Sequence, residues 1–124
     1  MLAKDIVQAI QAEPLSIWNN NLLNKDYSMA FASDLMSDAL AMIQNYPEST
    51  ILITGLCNSQ VLRTAEMLDI EMIIFVRGKK LSEESLEIAA EMGFNIFTTE
   101  YTMYETCGIL FGKGLGGIRG SHTS

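Results

Sequence analysis

Three short segments of the chain carry side chains that could bind an anion. They are Thr54-Gly55, Arg77-Gly78-Lys79 and Thr98-Thr99, and each follows a short apolar run. Cationic groups, hydroxyls and backbone N–H groups are the donors that hold a phosphate or a carboxylate in proteins. Three of the eight basic residues lie between positions 77 and 80. If the fold brings the segments together, we expect one anion-binding site. The alternative is that these threonines only build strands and that the basic residues only face solvent in a turn.

The elements that must position these segments can be predicted from local patterns. The runs 50–54, 72–76 and 95–99 are rich in β-branched and aromatic residues, as is typical of strands buried on both faces. Capping residues follow each run, namely Asn58 or Ser59, then Ser82, then Thr102 with Glu105 in a capping box. The order β-α-β-α-β-α from Thr50 predicts a parallel core covered by helices. Because ligands of open parallel sheets bind outside the carboxyl ends of the strands, Asn58 joins the candidate contacts.

The first 49 residues predict two further helices and one or two strands. Apolar residues at helical spacing run from Leu2 to Ile10, and Leu15–Trp18 and Tyr27–Ala32 could be strands. Whether these strands join the parallel core or form a separate ribbon is left open. The predicted fold class is therefore a single α/β domain with a mainly parallel sheet and N-terminal elements at its edge. Residues 1–115 would form the domain, and 116–124 would be a flexible tail that could come from an expression vector.

A second candidate cluster lies in the segment 33–38. Ser33 is predicted to cap a helix with Asp34 in its first turn, and the i, i+4 spacing then places Asp34 and Asp38 on one face. Paired carboxylates could hold Mg²⁺ or accept a proton. They could also line the same crevice as the strand ends, together with Ser33 and Ser37. The alternative is a capped helix with solvated acids, and we assign no metal site here.

Composition excludes several classes of function. A net charge of −7 argues against nucleic-acid binding, and no apolar run reaches the length of a membrane span. The N-terminus has no signal-peptide pattern, so we expect a cytoplasmic protein. The two cysteines lie 50 positions apart, which is not a zinc signature. The only histidine is His122, and the chain contains no P-loop motif, so no nucleophile–base pair or ATP-hydrolysing site is expected. We therefore predict no catalytic residues.

Three segments of the sequence together resemble a DRTGG domain, most closely the small stand-alone members, some of which are labelled HPr-serine-kinase-like and are encoded near iron hydrogenases. The segments are SDLMSDAL at Ser33–Leu40, ITGLCNSQVLRTAEM at Ile53–Met67, and the long run from Ile73 to Phe111. The resemblance covers roughly Leu2 to Leu115. It implies an α/β regulatory module that often pairs with itself, and CBS-linked members respond to adenine nucleotides. The kinase chemistry of HPr kinase belongs to a separate P-loop domain, so a serine kinase label does not transfer to this chain. The literal string D-R-T-G-G is absent, and Thr54-Gly55 is only a fragment of it.

Two functional hypotheses follow from these observations. The first is a non-catalytic homodimeric sensor that binds a phosphorylated small molecule or an adenine nucleotide at the strand ends. The second is an interaction or assembly factor for a redox enzyme such as an iron hydrogenase, without a small-molecule site.

Overall fold

The computed structural model describes residues 1–16, 23–43 and 49–118. Five helices lie in these ranges: α1 (Ala3–Ala9), α2 (Met36–Ile43), α3 (Ser59–Met67), α4 (Glu83–Met92) and α5 (Met103–Gly112). Six strands lie there as well: β1 (Glu13–Ser16), β2 (Met29–Ala32), β3 (Thr50–Thr54), β4 (Met72–Phe75), β5 (Asn95–Thr98) and β6 (Gly116–Gly117).

The six strands form one sheet in the order β1-β5-β4-β3-β2-β6. Every neighbouring pair is parallel except β1 and β5, which are antiparallel. The mainly parallel α/β fold predicted from the sequence is therefore confirmed. Both N-terminal strands join the sheet: β2 extends the parallel core beside β3, and β1 closes the other edge. Pro14 lies in this edge strand, where its missing N–H does not interrupt the sheet.

Helices cover both faces of the sheet, and alternate strand residues point to each face. Leu52 pairs in register with Ile73, and Ile73 with Ile96; all three belong to the core beneath α2, α3 and α4. Their chain neighbours Ile53, Ile74 and Phe97 belong to the second core, beneath α1 and α5. Since both faces are buried, the central strands read as continuous apolar runs in the sequence.

Local capping signals place most helix ends correctly. Asn58, Ser82 and Thr102 cap α3, α4 and α5, and Thr102 and Glu105 form the predicted capping box. Gly93 ends α4 in the left-handed conformation, with φ of 83°.

Two segments differ from the sequence-based expectation. The helix predicted to start at Ser33 begins only at Met36, so the prediction that Asp34 lies in its first turn is wrong. The predicted tail begins with β6, whose two glycines pair with β2. Trp18, predicted in the first strand, and residues 119–124 lie outside the described residues. No helix in the described part of the chain is long and apolar enough to cross a lipid bilayer.

Candidate functional site

The basic segment forms a tight turn at the end of β4. Arg77 and Gly78 both have positive φ, 57° and 66°, and the Lys79 N–H donates to the Val76 carbonyl at 3.1 Å. Positive φ at both central residues is the pattern of a type I′ turn. The Arg77 and Gly78 N–H groups donate to the carbonyls of Tyr101 and Thr99, both at 2.8 Å. The turn is therefore fixed against the segment that leaves β5, and it holds Arg77 at the solvent-exposed surface.

Asp34 lies at the end of β3, beside the predicted anion contacts. Its Oδ1 accepts hydrogen bonds from the Gly55 N–H at 2.7 Å and from the Thr54 hydroxyl at 3.2 Å. A Cβ on Gly55 would lie 3.0 Å from Nη2 of Arg77 and 3.3 Å from Oδ1 of Asp34. The fold thus brings Asp34, Gly55 and Arg77 together from three separate parts of the sequence. The absence of a side chain at Gly55 leaves room for the guanidinium group.

The threonine hydroxyls of the strand ends are engaged in internal hydrogen bonds. Thr98 donates to the Lys79 carbonyl at 2.7 Å, and Thr99 donates to the Ile10 carbonyl at 2.6 Å. The Thr54 hydroxyl donates to Asp34 and accepts from the Leu56 N–H. All three residues are at most 3% exposed. These side chains therefore hold the loops in place: Thr54 supports the Gly55 loop, Thr98 the basic turn, and Thr99 the junction with α1.

The N-terminus of α3 lies at the same edge. Asn58 is exposed, and its Oδ1 accepts from the Gln60 N–H at 3.0 Å, so the side-chain oxygen serves the helix cap. Burial raises the pKa of the neighbouring Cys57, while the charges of Lys79 and Arg77 lower that pKa and the charge of Asp34 raises it. The two cations thus act on the start of α3. Because the net shift is upward, the Cys57 thiol stays protonated and is not an activated nucleophile.

Cations and carboxylates are interleaved at this edge. Arg77, Lys79 and Lys80 are exposed, and they form no ion pair within the described ranges 1–16, 23–43 and 49–118. Glu100 lies against Gly78, since a Cβ on that glycine would be 2.9 Å from a Glu100 carboxylate oxygen. Sequence reasoning missed Glu100 and the contact between Asp34 and Gly55. Glu100 directly follows Thr99 in the sequence. No local sequence pattern, however, predicts the contact between Asp34 and Gly55.

Among the described residues, Ser33 is the only remaining candidate of the segment 33–38 that is hydrogen-bonded to the end of β3, and it is bonded through its backbone. Ser33 accepts from the Leu35 N–H at 3.0 Å, and its own N–H donates to the Ile53 carbonyl. Ser37 and Asp38 are exposed, and within the part of the chain that the structure describes no hydrogen bond or ion pair connects them to Asp34. Among those same residues, no group of three or more His, Cys, Asp and Glu side chains could hold a metal ion.

The edge therefore offers three exposed cationic side chains, Arg77, Lys79 and Lys80, around backbone N–H groups that are already paired. Such an arrangement can bind an anion by charge and by bidentate guanidinium hydrogen bonds.

Comparison with known proteins extends these observations to a solved structure. No protein-family model matches the chain, and no curated protein matches it. A crystal structure is similar to it: the CBS and DRTGG domains of the regulatory region of Clostridium perfringens pyrophosphatase, complexed with the activator diadenosine tetraphosphate. The TM-score is 0.66 at 17% sequence identity, and the match covers 88% of this chain and 45% of that chain. The chain thus spans less than half of the regulatory region it matches. The resemblance to a DRTGG domain inferred from the sequence is confirmed at the level of the fold.

Proposed function

We propose that this protein is a non-catalytic regulatory module that binds a phosphorylated small molecule, with adenine nucleotides as the first class to test. The observation that carries the proposal is the conformation of Arg77. A non-glycine residue at positive φ is disfavoured, and such residues persist where the surrounding structure imposes them, often at ligand sites. Here the turn presents the guanidinium group to solvent beside Gly55 and in electrostatic reach of α3.

Asp34 gives this site a built-in competitor. Its carboxylate occupies the Gly55 N–H, the backbone donor that a ligand phosphate would use at the end of β3. A phosphate that binds Arg77 and Lys79 would compete with Asp34 for this donor. Because Asp34 lies between β2 and α2, its displacement would alter the segment that starts α2. A change in this segment would carry the effect of ligand binding to the surface of the domain. A regulatory module needs such a connection between its ligand site and its surface.

The nucleotide class is suggested by the structural neighbour. That protein is complexed with diadenosine tetraphosphate as its activator. The present chain matches 45% of it, so the activator of that protein need not lie on the shared part. The proposal for this chain accordingly depends on Arg77 and Lys79. We further propose that the module acts as a homodimer in the cytoplasm. The alternative, an assembly factor for a redox enzyme such as an iron hydrogenase, predicts no small-molecule site.

A thermal-shift titration tests the proposal. ATP, ADP, AMP and diadenosine polyphosphates are titrated. A ligand present at a concentration of 100 times its Kd should stabilise the fold by about 2.7 kcal/mol. Arg77→Ala and Lys79→Ala should each weaken binding, and added salt should weaken it further because the attraction is ionic. Lys113→Ala is the matched control. It removes an exposed cation after the C-terminal end of α5, away from the carboxyl ends of the strands.

Asp34→Asn separates competition by charge from simple structural support. Asparagine keeps an acceptor for the Gly55 N–H but removes the negative charge, so this variant should bind the nucleotide severalfold more tightly. If no nucleotide shifts the melting temperature, or if Arg77→Ala binds as well as the wild type, the sensor proposal is wrong. The assembly-factor alternative would then be preferred.

A further inference from the structure

Leu35 stands at a position where neither burial nor helix capping favours a leucine. Its side chain is 57% exposed. Helix α2 begins at Met36, and the Leu35 carbonyl accepts from the N–H groups of Asp38 at 3.1 Å and Ala39 at 3.4 Å, so Leu35 is the N-cap residue of α2. Serine, threonine, aspartate and asparagine stabilise this position, and leucine is among the least favourable residues there. The leucine thus gives the helix no side-chain cap and leaves more than half of its surface in contact with water.

The backbone of Leu35 is fixed beside the candidate anion site. Its N–H donates to the Ser33 hydroxyl at 3.0 Å, and the preceding residue, Asp34, accepts from the Gly55 N–H at 2.7 Å. The place of a Cβ on Gly55 is 3.0 Å from Nη2 of Arg77 and 3.6 Å from Oδ2 of Asp34. Since consecutive Cα atoms are about 3.8 Å apart, Leu35 directly adjoins a residue that lies beside the guanidinium group.

Further apolar surface lies at the same edge of the sheet. Leu56 and Cys57, just before α3, are half-buried and pack against the core beneath α2, α3 and α4. Burial raises the pKa of Cys57, and the charges of Lys79 and Arg77 lower that pKa, so both cations lie within electrostatic reach of this apolar surface. Sites for small molecules typically combine apolar walls with a few polar or charged groups. The edge offers both kinds of surface.

We propose that Leu35 is a specificity-determining residue of this site. The ligand carries an apolar or aromatic group that packs on the Leu35 side chain while its phosphates bind Arg77 and Lys79. This inference rests on the proposed function and assigns a contact to the organic part of the ligand. A nucleobase and an aliphatic chain share the required chemistry, because contact with Leu35 removes apolar surface of either group from water. Inorganic phosphates have no such group and gain nothing from Leu35.

Two matched pairs of probes test this inference by isothermal titration calorimetry in buffer without divalent cations. ATP is compared with tripolyphosphate, and geranyl diphosphate is compared with pyrophosphate. Each inorganic probe carries at least as much negative charge as its organic counterpart, so charge alone would favour the inorganic probe. The wild type should instead bind at least one organic probe severalfold more tightly than its counterpart. The pair that shows this preference identifies the group as a nucleobase or an aliphatic chain.

Variants of Leu35 then locate the contact. Leu35→Ser should abolish the preference and keep the affinity for the inorganic probe, and its melting temperature should rise because serine can cap α2. Leu35→Met keeps an apolar side chain and should keep the preference. Met67→Ser is the matched control, since Met67 is 70% exposed and is the last residue of α3, about 12 Å along the helix from its start at this edge. It should change neither the preference nor the affinity for the inorganic probe.

The outcomes separate this inference from the proposed function. If the wild type binds the inorganic probes at least as tightly as the organic ones, or if Leu35→Ser keeps the preference, this inference is wrong and the anion site stands. A lower melting temperature of Leu35→Ser would show that the leucine supports the fold, and it would overturn the inference as well. If no probe binds to the wild type, both the inference and the proposed function are wrong.

Discussion

At the scale of single residues, Arg77 has a left-handed backbone, as do Gln11 after α1 and Asp69 after α3. This conformation costs about 1–2 kcal/mol for a residue with a Cβ, and the three hydrogen bonds of the 76–79 turn impose it. The next residue is Gly78, for which the same conformation is unstrained. A glycine at position 77 would serve the turn better. The proposed role of its side chain in anion binding would account for an arginine at this position.

Stability measurements can separate this role from the fold. Arg77→Gly relieves the strain that Arg77→Ala retains, so the glycine variant should unfold with a free energy about 1 kcal/mol higher than the alanine variant. Urea unfolding followed by circular dichroism measures the difference. Both variants should lose nucleotide binding alike.

Lys80 supplies the control for this comparison. It is a neighbouring exposed basic residue that is not among the described residues with positive φ. At position 80 the free energy of unfolding of Lys80→Gly should be no higher than that of Lys80→Ala. Glycine relieves no strain there and only increases the entropy of the unfolded chain. An equal effect of glycine at both positions would contradict the account of strain at Arg77.

At the scale of elements, the start of a helix depends on which side chain accepts hydrogen bonds from its unpaired N–H groups. Ser33 looks like an N-cap in the sequence, but its hydroxyl accepts from the Leu35 N–H in a local turn, and the helix starts at Met36. Asp34, freed from the helix, reaches across to Gly55. Thr102 shows the opposite case. It accepts from the Glu105 N–H at 3.2 Å, and the Glu105 carboxylate accepts from the Thr102 N–H at 3.0 Å.

Removal of the Thr102 cap should therefore have a measurable effect. Thr102→Ala leaves the Glu105 N–H without its acceptor, and the free energy of unfolding should fall by about 1 kcal/mol. Thr102→Ser keeps the hydroxyl and should lose much less. Both are measured by urea denaturation. If the alanine and serine variants were equally destabilised, the hydroxyl would not be the group that matters.

At the scale of the whole molecule, one sheet separates two apolar cores. Leu52 and Ile53 are adjacent in β3, and each is fully buried in a different core. Leu52→Ala and Ile53→Ala should each lower the free energy of unfolding by about 2–5 kcal/mol. Because both cores share the same strands, each variant should unfold in one transition, seen alike by circular dichroism and by tyrosine fluorescence. Two separate transitions would contradict a single domain over residues 1–115.

The sequence by itself determined what depends on neighbouring residues. The three central strands and the caps at Asn58, Ser82 and Thr102 all follow from patterns a few residues long. The βαβ order then fixed that Thr54, Arg77 and Thr98 lie at the same ends of parallel strands, because a strand–helix–strand connection returns in the same direction.

Only the tertiary structure decided which of those groups are available to a ligand. The hydroxyls of Thr98 and Thr99 bind carbonyls 19 and 89 positions away in the sequence. Asp34 takes the Gly55 N–H from 21 positions away, and the positive φ of Arg77 depends on a turn anchored to the segment after β5. Local patterns carry no record of such partners, since each contact forms only when distant segments are packed together.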